Sequence, residues 1–401
     1  MVSVLKDGWE VKKLGEVCDF QGGSQPAKSK FIYEPKDGFV RFLQIRDFKN
    51  NKNITFIPES KKNRYCNEDD ILLGRYGASV GKVLINKAGA YNVAVMKTIP
   101  NQNLLTKKYL FFYLNSVKFQ KNLANVASRS AQDGFSKKDI FDFSILIPTL
   151  QEQKKIVAIL DEAFSAIEKA KVNAELNLQN AKELFESYLQ SIFENKSEDW
   201  ERTILKNEID LTTGFAFKSK FYTNAEDDIL LIRGDNIMQG VFRWKDAKRW
   251  NRSEYDSFKK FQMEENDIVL AMDRPWVKAG LKCARVTKSD LPSLLLQRTA
   301  RLRNKSTLDN SFLYYLINSK NFTDYLLGVQ EGIGVPHISG KQISNYYFKK
   351  PSIKTQKEIV RKLNTLQEQT KKLEFIYKQK LQDLNELKKS ILQKAFNGEL
   401  L

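Results

Sequence analysis

YLFFYLNS, Tyr109 to Ser116, returns as FLYYLINS, Phe312 to Ser319, at an offset of 203 residues. The same offset carries Pro148 onto Pro351 and persists through the residues that follow each proline. A register held that long marks a tandem duplication, so the fold is one half built twice. Towards the N-terminus, Trp9, Glu10, Leu14, Asp19 and Gly23 match Trp200, Glu201, Leu205, Asp210 and Gly214 at an offset of 191. Between these, NEDDILL ending at Leu73 matches EENDIVL ending at Leu270 at an offset of 197. The drifting offset puts length differences in loops between matched segments.

Within each half, short β-branched and aromatic runs such as FVRFLQI, DILLGRY and KVLIN read as strands separated by Gly, Asn and Asp turns. YLFFYLNS reads as one of a few helices. The fold class is therefore α+β: mixed domains over 1–148 and 198–350, each followed by a long helix, 149–197 and 351–401.

After Pro148, apolar or small residues recur at Ile156, Leu160, Ala163, Ile167, Ala170, Ala174, Ala181, Leu184 and Tyr188. Spacings that alternate four and three form a heptad seam. The second half repeats it at Ile359, Leu363, Leu366, Leu373, Tyr377, Leu384, Leu387 and Ile391, with Thr370 matching Ile167. Both seams lapse at one shared position, Asn177 and Lys380. Thr149 followed by Glu152 is a capping-box pattern, whereas Ser352 and Thr355 keep the cap without the carboxylate. Two seams in one chain are most simply buried against each other as an antiparallel coiled coil with pseudo-twofold symmetry. At 1.5 Å per residue such helices span roughly 65 to 70 Å, a ruler of about 20 base pairs. Homodimerisation through the same seams is the alternative.

The chain has 401 residues, with 66 Lys and Arg against 48 Asp and Glu, a net charge of +18. A surplus of that size favours a polyanionic partner such as nucleic acid or an anionic membrane; the plainer reading is a lysine-rich surface that aids solubility. No apolar run approaches the length needed to cross a bilayer, and the first residues lack a signal-peptide core, which leads to the expectation of a soluble cytosolic protein. Cys18, Cys66 and Cys283 are odd in number and scattered, which suggests neither a disulfide framework nor a zinc site.

Two loops at comparable positions carry chemistry suited to DNA. GRYGASVGK presents Arg75, Tyr76, Ser79 and Lys82 on glycines that permit close approach; MDRPWVKAGLK presents Arg274, Trp276 and Lys278. Arg46 and Arg233 form a further matched pair, flanked by Gln44 and Asn236, amides suited to adenine. A third pair of loops, Gln132 to Lys138 with Lys137, and His337 to Lys341, precedes the helices and could touch phosphates. Each of these residues also fits an ordinary surface or turn role.

Catalytic patterns are weak. GRYGASVGKV fails the P-loop pattern at Tyr76 and Val83, and His337 is the single histidine, which excludes multi-histidine metal sites and disfavours a Ser-His-Asp triad. Glu59-Ser60-Lys61 is a triplet too common to signal a nuclease, and no dinucleotide fingerprint is present.

The order domain, helix, domain, helix resembles the specificity subunit of type I restriction-modification systems. PTLQEQKKIV, Pro148 to Val157, resembles that family's entry into its first conserved helix, LQKAFNGEL its C-terminal ending, and GWEVKKLGEV the start of its recognition domains. Thr355 departs from the pattern, where glutamate is expected. The resemblance implies that each target recognition domain reads half of a split double-stranded DNA site. It implies that the helices fix the spacer and dock two methyltransferase subunits, and that restriction subunits join the complex. It also implies a non-catalytic chain without cofactors of its own, S-adenosylmethionine and ATP belonging to the partners. A stand-alone DNA-binding regulator or architectural protein, dimerising through its helices, is the alternative.

Overall fold

Residues that match between the halves include those that backbone geometry fixes. A Cβ on Gly23 would lie 2.0 Å from the Asn92 carbonyl oxygen, and one on Gly214 would lie 2.0 Å from that of Leu296. Only glycine allows this close crossing of two chain segments. The computed structural model that shows it describes residues 8–50, 52–128, 134–194, 198–277, 280–331 and 336–401. The chain forms two units, 1–176 with 377–401, and 177–376.

In the first unit a four-stranded antiparallel sheet has the order Cys18–Gly22, Val95–Pro100, Leu72–Gly74, Val83–Leu84. A second sheet pairs Phe39–Leu43 in parallel with Gly89–Tyr91, flanked by Phe56–Pro58 and Tyr65–Cys66. The second unit repeats the first sheet as Ile209–Thr213, Thr299–Asn304, Ile268–Ala271, Cys283–Arg285, and the parallel pair as Ile229–Ile232 with Ser293–Leu295. An antiparallel ribbon closes each unit: Glu10–Lys13 on Ser144–Ile147, and Glu201–Ile204 on Tyr347–Lys350. YLFFYLNS and its repeat lie largely in helices Lys107–Leu114 and Asn310–Ile317, capped by Thr106 and Asp309.

The long helices run Leu150–Phe193 and Ile353–Asn397, 44 and 45 residues. In the first unit Ile156 and Leu160 share a core with Tyr109, Tyr113, Leu392, Ala395 and Phe396. Lys388 lies over the Phe164 ring at 4.7 Å, while Gly398 abuts Trp9, whose indole reaches back to Glu152; the two helical segments therefore run in opposite directions. In the second unit the end of the first helix (Leu189, with Phe185 and Phe193 beside it) and the start of the second (Val360, Leu363) cover Phe312 and Leu313.

The seam needs a correction. Ile156, Leu160, Ile167, Ala174, Ala181, Leu363 and Thr370 are buried, but Leu184, Leu373 and Leu387 are 51, 37 and 47% exposed. Beside Leu184, it is Phe185 and Leu189 that turn onto the domain, with Phe185 6.2 Å from Tyr315. The domain core, as well as a helical partner, sets which face is buried, so a strict heptad pattern mislocates the stripe.

Each helix begins with a buried glutamine that ties it to its domain. Gln153 accepts from Thr106 N–H at 2.9 Å and donates to the carbonyls of Leu104 (2.7 Å) and Pro148 (3.0 Å). Gln356 accepts from Asp309 N–H at 2.7 Å and donates to those of Thr307 (3.1 Å) and Pro351 (2.8 Å). Both are fully buried.

Other supports differ between units. Glu152 closes the capping box with Thr149 and accepts from Trp9 Nε1 at 3.0 Å, whereas Thr355 donates its N–H to Ser352 Oγ at 3.3 Å and offers only a hydroxyl contact in return. Buried Glu208 accepts from Lys350 Nζ (2.7 Å), Thr307 (2.7 Å) and Thr203 (3.0 Å), a network that Val17, its counterpart in the repeat, cannot make. The three thiols are buried, and burial pushes Cys18 and Cys283 up to about 12 and Cys66 to about 11.

Gln153→Ala or Gln356→Ala is expected to cost about 1–3 kcal/mol by stranding one amide and two carbonyls, measured by denaturant unfolding. For Glu208, burial would raise its carboxyl, but Lys350, Thr307 and Thr203 hold it below the ordinary value of 4.5. A depressed folded value stabilises above the ordinary one and is lost as pH falls through the folded one. The thermal stability of the second unit should therefore fall as pH drops below 4.5, and Glu208→Gln should flatten that part of the profile.

Candidate nucleic-acid interface

At one edge of each unit, the turn after the parallel-pair strand, the long loop after the central strand, and the crossing segment meet. In the first unit these are Gln44–Asp47, residues 75–82, and Asn92–Ala94; in the second, Arg233–Asn236, residues 272–277 with 280–282, and Leu296–Arg298. Arg75 N–H donates to Ala94 O at 3.0 Å, and Met272 N–H donates to Arg298 O at 2.9 Å, which fixes the equivalence of these segments. Bridges Tyr76↔Gly134 and Asp273↔His337 bring a fourth segment to each edge.

The first turn revises the expected pairing. Gln44 N–H donates to Asp47 Oδ2 at 2.6 Å, and Arg233 N–H donates to Asn236 Oδ1 at 3.2 Å. Thus Arg233 occupies the place of Gln44, not Arg46, and Asn236 that of Asp47. A short turn tolerates this two-residue slip because only its cap geometry is constrained. Asn236 is buried and donates to Arg243 O at 3.0 Å, so its amide is committed to the turn. The Gln44 amide nitrogen is also buried, without a hydrogen bond. Arg46 is exposed, with one donor on Thr55 at 3.1 Å; Arg233 pairs with Asp235 at 3.0 Å.

In the long loop of the first unit, Arg75 is a strut: it donates to Phe135 O (3.2 Å) and Val93 O (3.4 Å) and lies over the Tyr76 ring. The Ser79 hydroxyl donates to Tyr76 O at 2.6 Å. Tyr76 and Lys82 are exposed, and Lys82 lines a cavity of about 470 Å³ with Lys49. In the second unit the Trp276 indole donates to Gln330 at 3.0 Å and its ring packs on the core, so it is no open stacking platform. Lys278 and Gln132 lie outside the described residues. Lys137 pairs with Asp19 at 3.2 Å, Lys341 is exposed on helix Gly340–Ser344, and His337 bonds Asp273 through Nδ1.

The second unit's edge encloses a cavity of about 390 Å³ lined by Arg233, Arg274, Lys282 and Arg298, with Asp235 and Asp273. Burial pulls the Lys282 ammonium below the ordinary lysine value; Asp235 opposes this and Arg274 adds to it. Lys282, Asp273 and Arg298 were not singled out from sequence. Lys282 closes a quoted motif, but nothing local distinguishes Arg298, which joins the group only through the crossing of strands.

Residues 6–178 and 197–386 match the family of the type I restriction modification DNA specificity domain. The chain belongs to that family. Over 411 residues, 99% of this chain and 94% of the relative, it is 25% identical to the type I restriction enzyme MjaVIII specificity subunit of Methanocaldococcus jannaschii. It is 36% identical over 207 residues to the EcoAI specificity subunit of Escherichia coli, half of this chain and 34% of that one. The HsdS subunit from Thermoanaerobacter tengcongensis superposes with a TM-score of 0.67 at 17% identity, covering 99% of this chain and 98% of that one. A chain from a structural study of type I R-M complex assembly gives 0.78 at 16% identity, covering 99% and 100%. The likeness to these structures is one of fold. In this specificity-family chain no described helix is long and apolar enough to cross a membrane.

Asn236→Ala is expected to destabilise the second unit by about 1–2 kcal/mol, since a turn N–H and a carbonyl lose their partner. Arg46→Ala should leave unfolding nearly unchanged; paired thermal melts compare the two.

Proposed function

We propose that this chain is the sequence-specific DNA-binding specificity subunit of a type I restriction-modification complex, with 1–148 and 198–350 as target recognition domains and 149–197 and 351–401 as spacer helices. The supporting observation is the duplicated loop edge: one scaffold, built twice, presents different side chains at equivalent places, as reading two unlike half-sites requires. In this reading the helices set the spacing of the half-sites and dock two methyltransferase subunits, with restriction subunits joining the full complex. The chain contributes recognition and its partners contribute the chemistry. Exposed Arg46, Lys82 and Lys341 suit backbone phosphates, and the two edges suit base contacts.

Methylation sequencing of DNA from cells co-expressing the chain with its methyltransferase subunit is expected to show a split adenine-methylated motif that the methyltransferase alone does not produce. A soluble complex that yields no new motif would overturn the proposal. Binding of the purified complex to duplex DNA should weaken linearly on a log–log plot against salt, because phosphate contacts release counterions.

A further inference from the structure

Among the described residues, five non-glycine positions have a positive φ: Asn86, Asp246, Asn266, Arg274 and Arg298. Asn and Asp tolerate the left-handed region through local hydrogen bonds; arginine has no such relief. Both strained arginines, at +45° and +65°, line the 390 Å³ cavity of the second unit. The equivalent bridges place Gly77 opposite Arg274, and Gly77 takes the same conformation at +53° without cost. At the same turn, therefore, one unit uses the residue that fits and the other an arginine that does not. Strain concentrated in this way marks side chains kept for what they contact.

The cavity's chemistry narrows that contact. Asp273 uses Oδ1 for His337 Nδ1 and Oδ2 for Arg298 Nη1 at 2.8 Å, so the guanidinium is held at one end. The Arg298 side chain is 70% exposed, which leaves the rest of its donor fork facing outward. A phosphate would meet the carboxylates of Asp273 and Asp235 within the same cavity. A G·C pair suits the mixture: guanine N7 and O6 accept from an arginine fork, and the cytosine amino group donates to a carboxylate.

We infer that this cavity is a guanine-reading site, in which Arg298, oriented by Asp273 and His337, addresses the major-groove edge of a G·C pair in the second domain's half-site. The inference rests on the DNA-reading role proposed above. Arg274 and Lys282 supply further positive charge at the cavity.

The test uses the full chain co-expressed with its methyltransferase subunit, carrying Arg298→Gly or Arg298→Lys. Glycine fits the +65° backbone, and relief of that strain offsets the added freedom of the unfolded chain, so Arg298→Gly should melt close to the parent, which separates misfolding from lost recognition. Methylation sequencing should show one G·C position in one half-site relaxing to other bases, with discrimination falling roughly tenfold to a hundredfold, in both variants and with the other half-site intact. Lysine keeps the charge and loses the fork, so it should not rescue. An unchanged motif would overturn the inference. So would a uniform loss of methylation that Arg298→Lys restores, which identifies a phosphate contact. A parent complex with no split motif removes the DNA-reading role, and this inference with it.

Discussion

The buried glutamine at the head of each long helix is the joint on which the architecture depends. Gln153 and Gln356 each tie three backbone groups, two carbonyls and one amide, at the start of helix Lys107–Leu114 or Asn310–Ile317 and at the turn into the long helix. In a fully buried site a half-satisfied amide is costly, so the joint is held in one geometry or not at all. A recognition surface built on loops is useful only if its scaffold cannot pivot on the helix that carries it. The aromatic cores around Tyr109 and Phe312 supply the bulk of the adhesion, and the glutamines give it direction.

The two halves have kept this joint and let other supports diverge. Glu152 serves both Trp9 and the helix cap, while Thr355 serves neither a ring nor a full capping box. The second unit has instead gathered Glu208, Lys350, Thr203 and Thr307 into a buried network where the first has a valine. Duplication thus preserved the contacts that orient the domains, while contacts that only add stability were exchanged.

At the loop edges the divergence is chemical. Arg75 spends its fork on carbonyls of its own chain, whereas Arg298 is held by one carboxylate and faces outward. The first edge has glycine at its left-handed turn and the second has arginine. Similar backbones at the two edges thus carry unequal donors.

The sequence alone determined the duplication, the α+β class, the two long helices and the capping at Thr149, because these depend on local propensity, periodicity and a constant offset. It also pointed to the loops that meet at each edge, since glycines and cations flanking a strand are visible in one dimension. It misassigned Arg46 to Arg233, placed Leu184, Leu373 and Leu387 in the seam, and offered Asn236 and Trp276 as readers although each is already bonded within the fold. Which donors are spent and which remain free is settled by partners far along the chain. Arg298, Asp273 and His337 come together only because a strand crossing and a β-bridge unite segments distant in sequence, and the helix face that is buried depends on the domain packed against it. Long-range packing of that kind leaves no local pattern, so only the tertiary structure decided which of these groups meet.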